Sequence, residues 1–502
     1  LPHMHQRTTA TTATSLALAG VLALTTGCSS GTDSSPTAGS GADKAAAATS
    51  SASSGGTAKG GIDPSRIKGL QIVNDSSEDS SCPWATSYPA VPGADAMTAA
   101  MKREVDRNRQ SFLGEDGSGT AECGGTSQDQ DLDQHLQLNI SHDFLVASGD
   151  VLGVRLNTLR IGEAGDGLMT TTYWFDGKAK QRRQALDLVA EGSRAQFVAA
   201  VKKALKNREG IDPSMLDGAF ADSESQYGAL DDLAFTSDGG LRIEFDSGMV
   251  GVPAGGRYKV TLPKATVTPW LSDFGRRVQQ QTTDPAGTLD LGAASTPTEP
   301  AAPTIKHPGE DDTDCSKVKC IALTFDDGPA ATETSQLLTY LAKYKARATF
   351  FTVGQNVAAH PDLVRAEAAA GHEVGNHSWS HPDLTGLSTA QIQSQLSRTS
   401  AAIKAATGEE PKLFRPPYGA INSTVRAATT LSPVLWDVDT EDWKYRDSGK
   451  VAQTVITKAG RNEVVLMHDI HPTSVGAVPE ILRTLTARGY HFVTVSQLRA
   501  TL

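Results

Sequence analysis

From Cys315 to the C-terminal Leu502, short apolar runs alternate with longer amphipathic ones, and this alternation limits what the chain can fold into more than any other feature. Strands are predicted at 320–325, 347–353, 372–376, 412–415, 433–438, 463–467 and 491–495. Between them, "TSQLLTYLAKY", "STAQIQSQLSRTSAAIKAATG" and "AVPEILRTLTARGY" carry the apolar spacing of helices. Strand–helix alternation predicts a parallel sheet covered by helices, an α/β fold. Seven such strands are enough to close into a small barrel, where chemistry sits on the loops after the strand C-termini.

Polar runs follow those strands repeatedly. "TFDDG" follows the first, "NHSWSH" the third, "RPPYG" the fourth, "DVDTEDW" the fifth, and "LMHDIH" ends the sixth. His377 and His381 are four apart, so a helical turn would present both imidazoles on one side. Two imidazoles with one carboxylate make a zinc site that keeps open positions. Asp327, at a neighbouring strand end, is the expected third ligand. Its neighbour Asp326 is then free to take a proton from water. Amide cleavage also needs a proton for the departing nitrogen, and His468 at the end of a buried run is the candidate acid. Asp442 would orient that imidazole, as a carboxylate does for a catalytic histidine. Arg415 would pair with Asp326, and Trp443 with Leu466 would form an apolar niche for a methyl group. His372 reads as structural, and His471 stays open.

"TFDDG" at 324–328, "HSWSH" at 377–381, "RPPY" at 415–418, "DTEDW" at 439–443 and "LMH" at 466–468 resemble, in order, the motifs of NodB-type polysaccharide deacetylases, carbohydrate esterase family four. The resemblance covers roughly 320 to 500. It implies a distorted (β/α) barrel and removal of acetyl groups from N-acetylated sugars. It also implies an Asp-His-His site for a divalent ion, with Zn2+ expected and Co2+ as the alternative. Carried onto this chain, it makes Asp326 the base, Asp327, His377 and His381 the ligands, and His468 the acid. Arg415 and Asp442 become their partners. Pro416 and Tyr418 would join Trp443 and Leu466 at the substrate, with the Tyr418 backbone N–H on the oxyanion.

The rest of the chain points to export. Leu1-Pro2-His3 reads as a cloning remnant; after Met4 come Arg7, an apolar stretch from Ser15 to Leu24, and "TTGCSS". That order is a signal peptide over 1–28, ending in a lipobox-like Gly27-Cys28, although Thr25 replaces the usual large aliphatic. Of five cysteines, Cys28 is the expected lipid anchor. Cys82, Cys123, Cys315 and Cys320 then remain for two bridges, most economically Cys82–Cys123 and Cys315–Cys320. Residues 29–61, rich in Ser, Gly, Ala and Thr, cannot bury a core and read as a flexible tether. Residues 62–282 read as an α+β accessory domain of unknown partner. "HLQLNISHDFLVASG" and "GLRIEFDSGMV" are its strands, and "AQFVAAVKKALKN" is a helix with Phe197, Val198, Val201 and Leu205 on one face. The order of its segments resembles the extracellular domain of RsiV-type anti-sigma factors. Residues 283–314 form a second linker ahead of the deacetylase-like domain at 315–502.

A net charge of −11 without a long basic run argues against nucleic acid as a partner. "SKVK" at 316–319 matches a penicillin-binding pattern but lacks its partner motifs. "DQDLDQ" at 129–134 opens like a calcium loop but has Ile140 where the closing Glu belongs. The expectation is an exported, lipid-anchored deacetylase of cell-wall glycan, with peptidoglycan N-acetylglucosamine as the leading substrate. Chitin oligomers or acetylated xylan are the alternatives within that chemistry. The rival from outside it is a wall-binding or sensing lipoprotein with an inactive barrel.

Overall fold

The protein is described by a computed structural model over residues 62–114, 136–162, 167–221, 228–292, 302–303 and 312–502. Cys28, Cys123 and the acidic run 129–134 lie outside these residues, so the lipid anchor and the Cys82–Cys123 bridge do too. No helix among the described residues is long and apolar enough to cross a membrane.

Two sheets form the first half. Strands β1 (Gln71–Ser77), β2 (Trp84–Ala90), β3 (Gln137–Ser148), β4 (Val151–Ile161), β5 (Gly167–Asp176) and β6 (Gln181–Arg183) lie side by side in chain order. Every pairing is antiparallel except β2 with β3. That parallel step needs a crossover, and the helix Asp95–Leu113 lies in it. Met97, Met101, Val105 and Phe112 of the helix are buried, and Gly114 closes it in the left-handed region at φ 70°. A second, antiparallel sheet comprises β7 (Leu233–Phe235), β8 (Leu241–Phe245) and β9 (Tyr258–Leu262). The predicted helix runs Arg194–Leu205 and buries Phe197, Val201 and Leu205, with Val198 half-buried beside them.

The second half is the α/β unit. Strands β10 (Lys319–Asp326), β11 (Thr349–Thr352), β12 (Glu373–Asn376), β13 (Leu413–Phe414), β14 (Ser432–Pro433), β15 (Val438–Asp439), β16 (Glu463–His468) and β17 (Tyr490–Phe492) are all parallel. Their order is β14-β13-β12-β11-β10-β16-β15, with β17 joined to the start of β10. The sheet curls into a half-barrel, and β14 and β15 at its two ends do not pair. The single run predicted over 433–438 is therefore two short strands at opposite edges. Pro433 cannot donate to a ladder, which suits it to an edge strand.

Ile321, Leu323, Phe325, Val465 and Met467 bury fully against Leu337, Leu338, Ile481 and Leu482 of the covering helices. Each such side chain contributes about 1.5–3 kcal/mol when removed from water. The helix Thr389–Thr407 shows the local logic: Ser388 and Gln391 form a capping box, Ile392, Leu396 and Ile403 turn inward, and left-handed Gly408 ends it. Cys315 and Cys320 are joined by a disulfide at the entry to β10.

Candidate active site

Asp326 is the last residue of β10 and stands level with His468, the last residue of β16. A continuing strand would send Asp327 to the opposite face. Instead Asp327 has φ 74°, and the Asn356 amide donates to its carbonyl at 2.6 Å. The left-handed turn breaks the alternation, so both carboxylates face one centre. His377 Nε2 lies 3.8 Å from Asp326 Oδ2 and 3.6 Å from Asp327 Oδ1.

His377 and His381 do not sit on a helical turn. The segment is irregular, with φ 65° at Ser378 and 58° at His381, and those two residues bring the rings to 4.8 Å. His377 Nδ1 donates to the Arg415 carbonyl at 2.7 Å, which leaves Nε2 without a hydrogen and facing Asp327. His381 Nε2 is 3.4 Å from the same Asp327 oxygen. One ligand atom from each of Asp327, His377 and His381 falls within 4.8 Å of the others. Asp327 Oδ1, His377 Nε2 and His381 Nε2 are buried and have no hydrogen-bond partner. An unsatisfied buried polar atom costs about 1–3 kcal/mol. Two imidazole nitrogens and one carboxylate oxygen are the donor set of a catalytic divalent cation, so the residues fit such an ion.

Asp326 is treated differently. Arg415 is fully buried and donates to Asp326 Oδ1 at 2.8 Å, to Thr324 Oγ1 at 2.7 Å, and to the Val434 and Leu435 carbonyls. Burial pushes the Asp326 carboxyl up to about 7, with the Arg415 cation pulling against it. For Asp327, burial pulls the same way, but the surrounding imidazoles, His381 first, outweigh it and lower the pKa. Burial lowers His377 to about 3, helped by His381.

His468 is backed by Asp442, whose Oδ1 accepts from Nδ1 at 2.8 Å. The other Asp442 oxygen accepts from the His468 backbone N–H at 2.8 Å and from Ser474 Oγ at 2.5 Å. The fully occupied carboxylate directs His468 Nε2 toward the centre. Burial alone would hold His468 down; Asp442 and then Glu78 raise it well above the ordinary imidazole value.

Around this centre, Tyr418 has φ 60° and its hydroxyl donates to the His381 carbonyl at 3.2 Å. Pro416 is buried beside it. Leu466 lies two residues before His468, on the same face of β16, and is fully buried. The Trp443 backbone N–H donates to Asp442 Oδ1 at 3.0 Å. His372 Nδ1 accepts from the Ala348 backbone at 3.2 Å, a structural role. His471 packs by His468, with ring centroids 5.8 Å apart, and its Nδ1 meets Arg446.

Several residues here carry no sequence signal that would find them. Ser474 and Asn356 are ordinary polar residues until the fold brings them to Asp442 and Asp327. Glu78 is the largest surprise. It comes from the accessory domain, just after β1, and its side chain is 5% exposed. Its Oε1 lies 3.5 Å from His381 Nε2 and 3.7 Å from His468 Nε2. Ser76, two residues earlier, donates to Asp327 Oδ2 at 3.0 Å.

The polysaccharide deacetylase family profile matches residues 313–432. The chain belongs to that family: it is a hydrolase of the deacetylase class, for which metal dependence is general. Over 426 residues it is 31% identical to the peptidoglycan-N-acetylmuramic acid deacetylase PdaC of Bacillus subtilis, spanning 83% of this chain and 85% of that protein. Over 180 residues it is 45% identical to the peptidoglycan-N-acetylglucosamine deacetylase PgdA of Listeria monocytogenes, spanning 36% of this chain and 39% of that protein. A solved structure of PdaC from Bacillus subtilis is 46% identical, covering 37% of this chain and 91% of that one at a TM-score of 0.36.

Proposed function

We propose that the chain deacetylates peptidoglycan, hydrolysing the acetamide of an N-acetylated wall sugar to acetate and a free amine. The observation that carries this reading is the convergence of three bare ligand atoms, from Asp327, His377 and His381, beside the Arg415-paired Asp326 and the Asp442-backed His468. Asp327, His377 and His381 would hold the ion, Zn2+ before Co2+. A divalent cation there supplies polarisation of the acetamide carbonyl. Asp326 takes the proton of the attacking water, held in place by Arg415. His468, kept charged by Asp442, delivers a proton to the leaving nitrogen. The Tyr418 backbone N–H meets the developing oxyanion, and Leu466 with Trp443 receives the acetyl methyl group.

N-acetylglucosamine is the first reading, supported by the 45% identity to PgdA over 180 residues; the PdaC structure is equally similar over a like share of this chain, at 46%. N-acetylmuramic acid is the second reading, favoured by a relative that aligns along most of both chains. The test is acetate release from purified peptidoglycan, followed by mass spectrometry of the muropeptides to locate the free amine. Release from chitin oligomers or acetylxylan but not from peptidoglycan would overturn the substrate. The lipobox-like Gly27-Cys28 and the tether 29–61 support attachment to the outer face of the membrane, at the wall. A Cys28→Ala chain should then appear in the medium rather than in the membrane fraction.

A further inference from the structure

Glu78 is used by none of these steps, yet it occupies the centre of the site. The ligand oxygen or nitrogen atoms of Glu78, Asp327 and His468 all lie within 4.8 Å of one another, and Glu78 Oε1 is buried without a hydrogen-bond partner. It faces two groups at once: His381, which belongs to the Asp-His-His set, and His468 Nε2, the acid of the proposed reaction. A substrate acetamide must bridge the same two places, with its oxygen at the ion and its nitrogen at the acid. A carboxylate has the planar three-atom shape of that group.

The strand that delivers Glu78 is fastened on both sides. Asn74 donates to Asn356 at 3.3 Å, and Asp75 pairs with Arg446 at 2.9 Å and with Arg109 at 3.0 Å. The rest of the accessory sheet grips the rim of the same site. Asn139 donates to the Ser380 carbonyl at 2.7 Å, Gln355 donates to the His142 carbonyl at 2.5 Å, and the Asp383 backbone N–H donates to Gln137 at 3.0 Å. Asn139, Gln137 and Gln355 are buried, so these contacts belong to a closed interface.

We propose that Glu78 is a further ligand of the ion, supplied by the accessory domain in the place of the acetamide, so that β1 closes the site until it withdraws. The proposal rests on the reading of Asp327, His377 and His381 as the ion's ligands. A glycan strand then competes with Glu78 for entry, and whatever loosens β1 opens the enzyme.

The experiment uses the full chain loaded with Co2+, with acetate as the probe. Glu78→Gln is close in shape and removes the charge. Its visible Co2+ spectrum should differ from that of the wild type, and acetate should perturb it at a concentration lower by about tenfold or more. Identical spectra with equal acetate affinity would overturn the proposal. Asp75→Ala, which touches neither the ion's ligands nor His468, loosens the strand and should also strengthen acetate binding. Should Glu78→Gln fail to fold, an unchanged acetate affinity in Asp75→Ala overturns the proposal by itself. Deacetylation is not the readout, so inactivity on peptidoglycan would sink the proposed function and leave this inference standing. Equal Co2+ binding by the wild type and His377→Ala would sink the ligand assignment beneath both.

Discussion

The accessory and catalytic domains each bury a cluster of carboxylates, and the clusters are built on opposite rules. In the accessory domain, Arg155 meets Asp232 at 2.7 Å and Glu244 at 3.4 Å. Glu244 also faces Arg242 at 3.0 Å, and Arg257 and Lys259 at 3.2 Å each. Thr170 donates to the second Asp232 oxygen at 2.5 Å. In the catalytic domain, Asp326 has its Arg415, but Asp327, His377 and His381 turn bare atoms toward a common centre. Buried charge alone therefore does not mark the site. Carboxylates matched by cations mark a structural network, whereas orphaned acceptor atoms from a carboxylate and two imidazoles, aimed at one point, mark a ligand-binding centre.

The largest effect should come from the bare atoms. His377→Ala or Asp327→Asn should lose the ion and at least about a thousandfold in acetate release, checked by metal analysis beside the assay. Chelation of the wild type should do the same, with activity restored by added Zn2+. Next, His468→Gln should keep the ion and lose about a hundred- to ten-thousandfold in rate. An ion lost from that variant would blur the line between ligand and acid. On the structural side, Arg155→Met should destabilise by about 3–5 kcal/mol in denaturant unfolding, because Asp232 is left buried and unpaired, while Co2+ affinity stays unchanged. A stability loss under 1 kcal/mol would show that the accessory network is better solvated than its burial implies.

A smaller effect sharpens the role of Asp326. A base works as the carboxylate, so the rate should fall as pH drops through its pKa. Burial sets that value to about 7 without the ion, and a bound cation can only lower it, so the acid limb of kcat/KM should lie at or below about 7. Arg415 opposes the upward shift, so Arg415→Met should move the acid limb up by about one to three pH units. An unmoved limb would mean that another group is the base. The smallest expected change is Ser474→Ala. It removes one hydrogen bond from Asp442 and should cost about 1 kcal/mol of stability, with a few-fold loss of rate.

Much of the catalytic half was legible because its demands are local. A buried parallel strand must be apolar, and the chemistry must follow its C-terminal end, so each motif could be read within a few residues of its strand. The strand expected over 433–438 misled because two short edge strands share one apolar run, and Pro433 was the sign of an edge. The pairing of His377 with His381 was inferred from helical spacing, whereas the observed segment reaches the same result through two left-handed residues. Ser474 was illegible because a hydroxyl acquires its role only from what stands opposite it; Thr324 lies within "TFDDG", but its contact with Arg415 was hidden for the same reason.

Composition and order by themselves determined the class of fold and the five motif segments. Those are set by which residue types lie beside each strand end. Only the tertiary structure decided how two adjacent carboxylates come to face one centre, since a strand alternates its side chains and a left-handed Asp327 undoes the alternation. It alone decided that Glu78 belongs to the site. The "NDSSEDSS" run matches none of the motifs, and a contact with residues hundreds of positions away has no local signature.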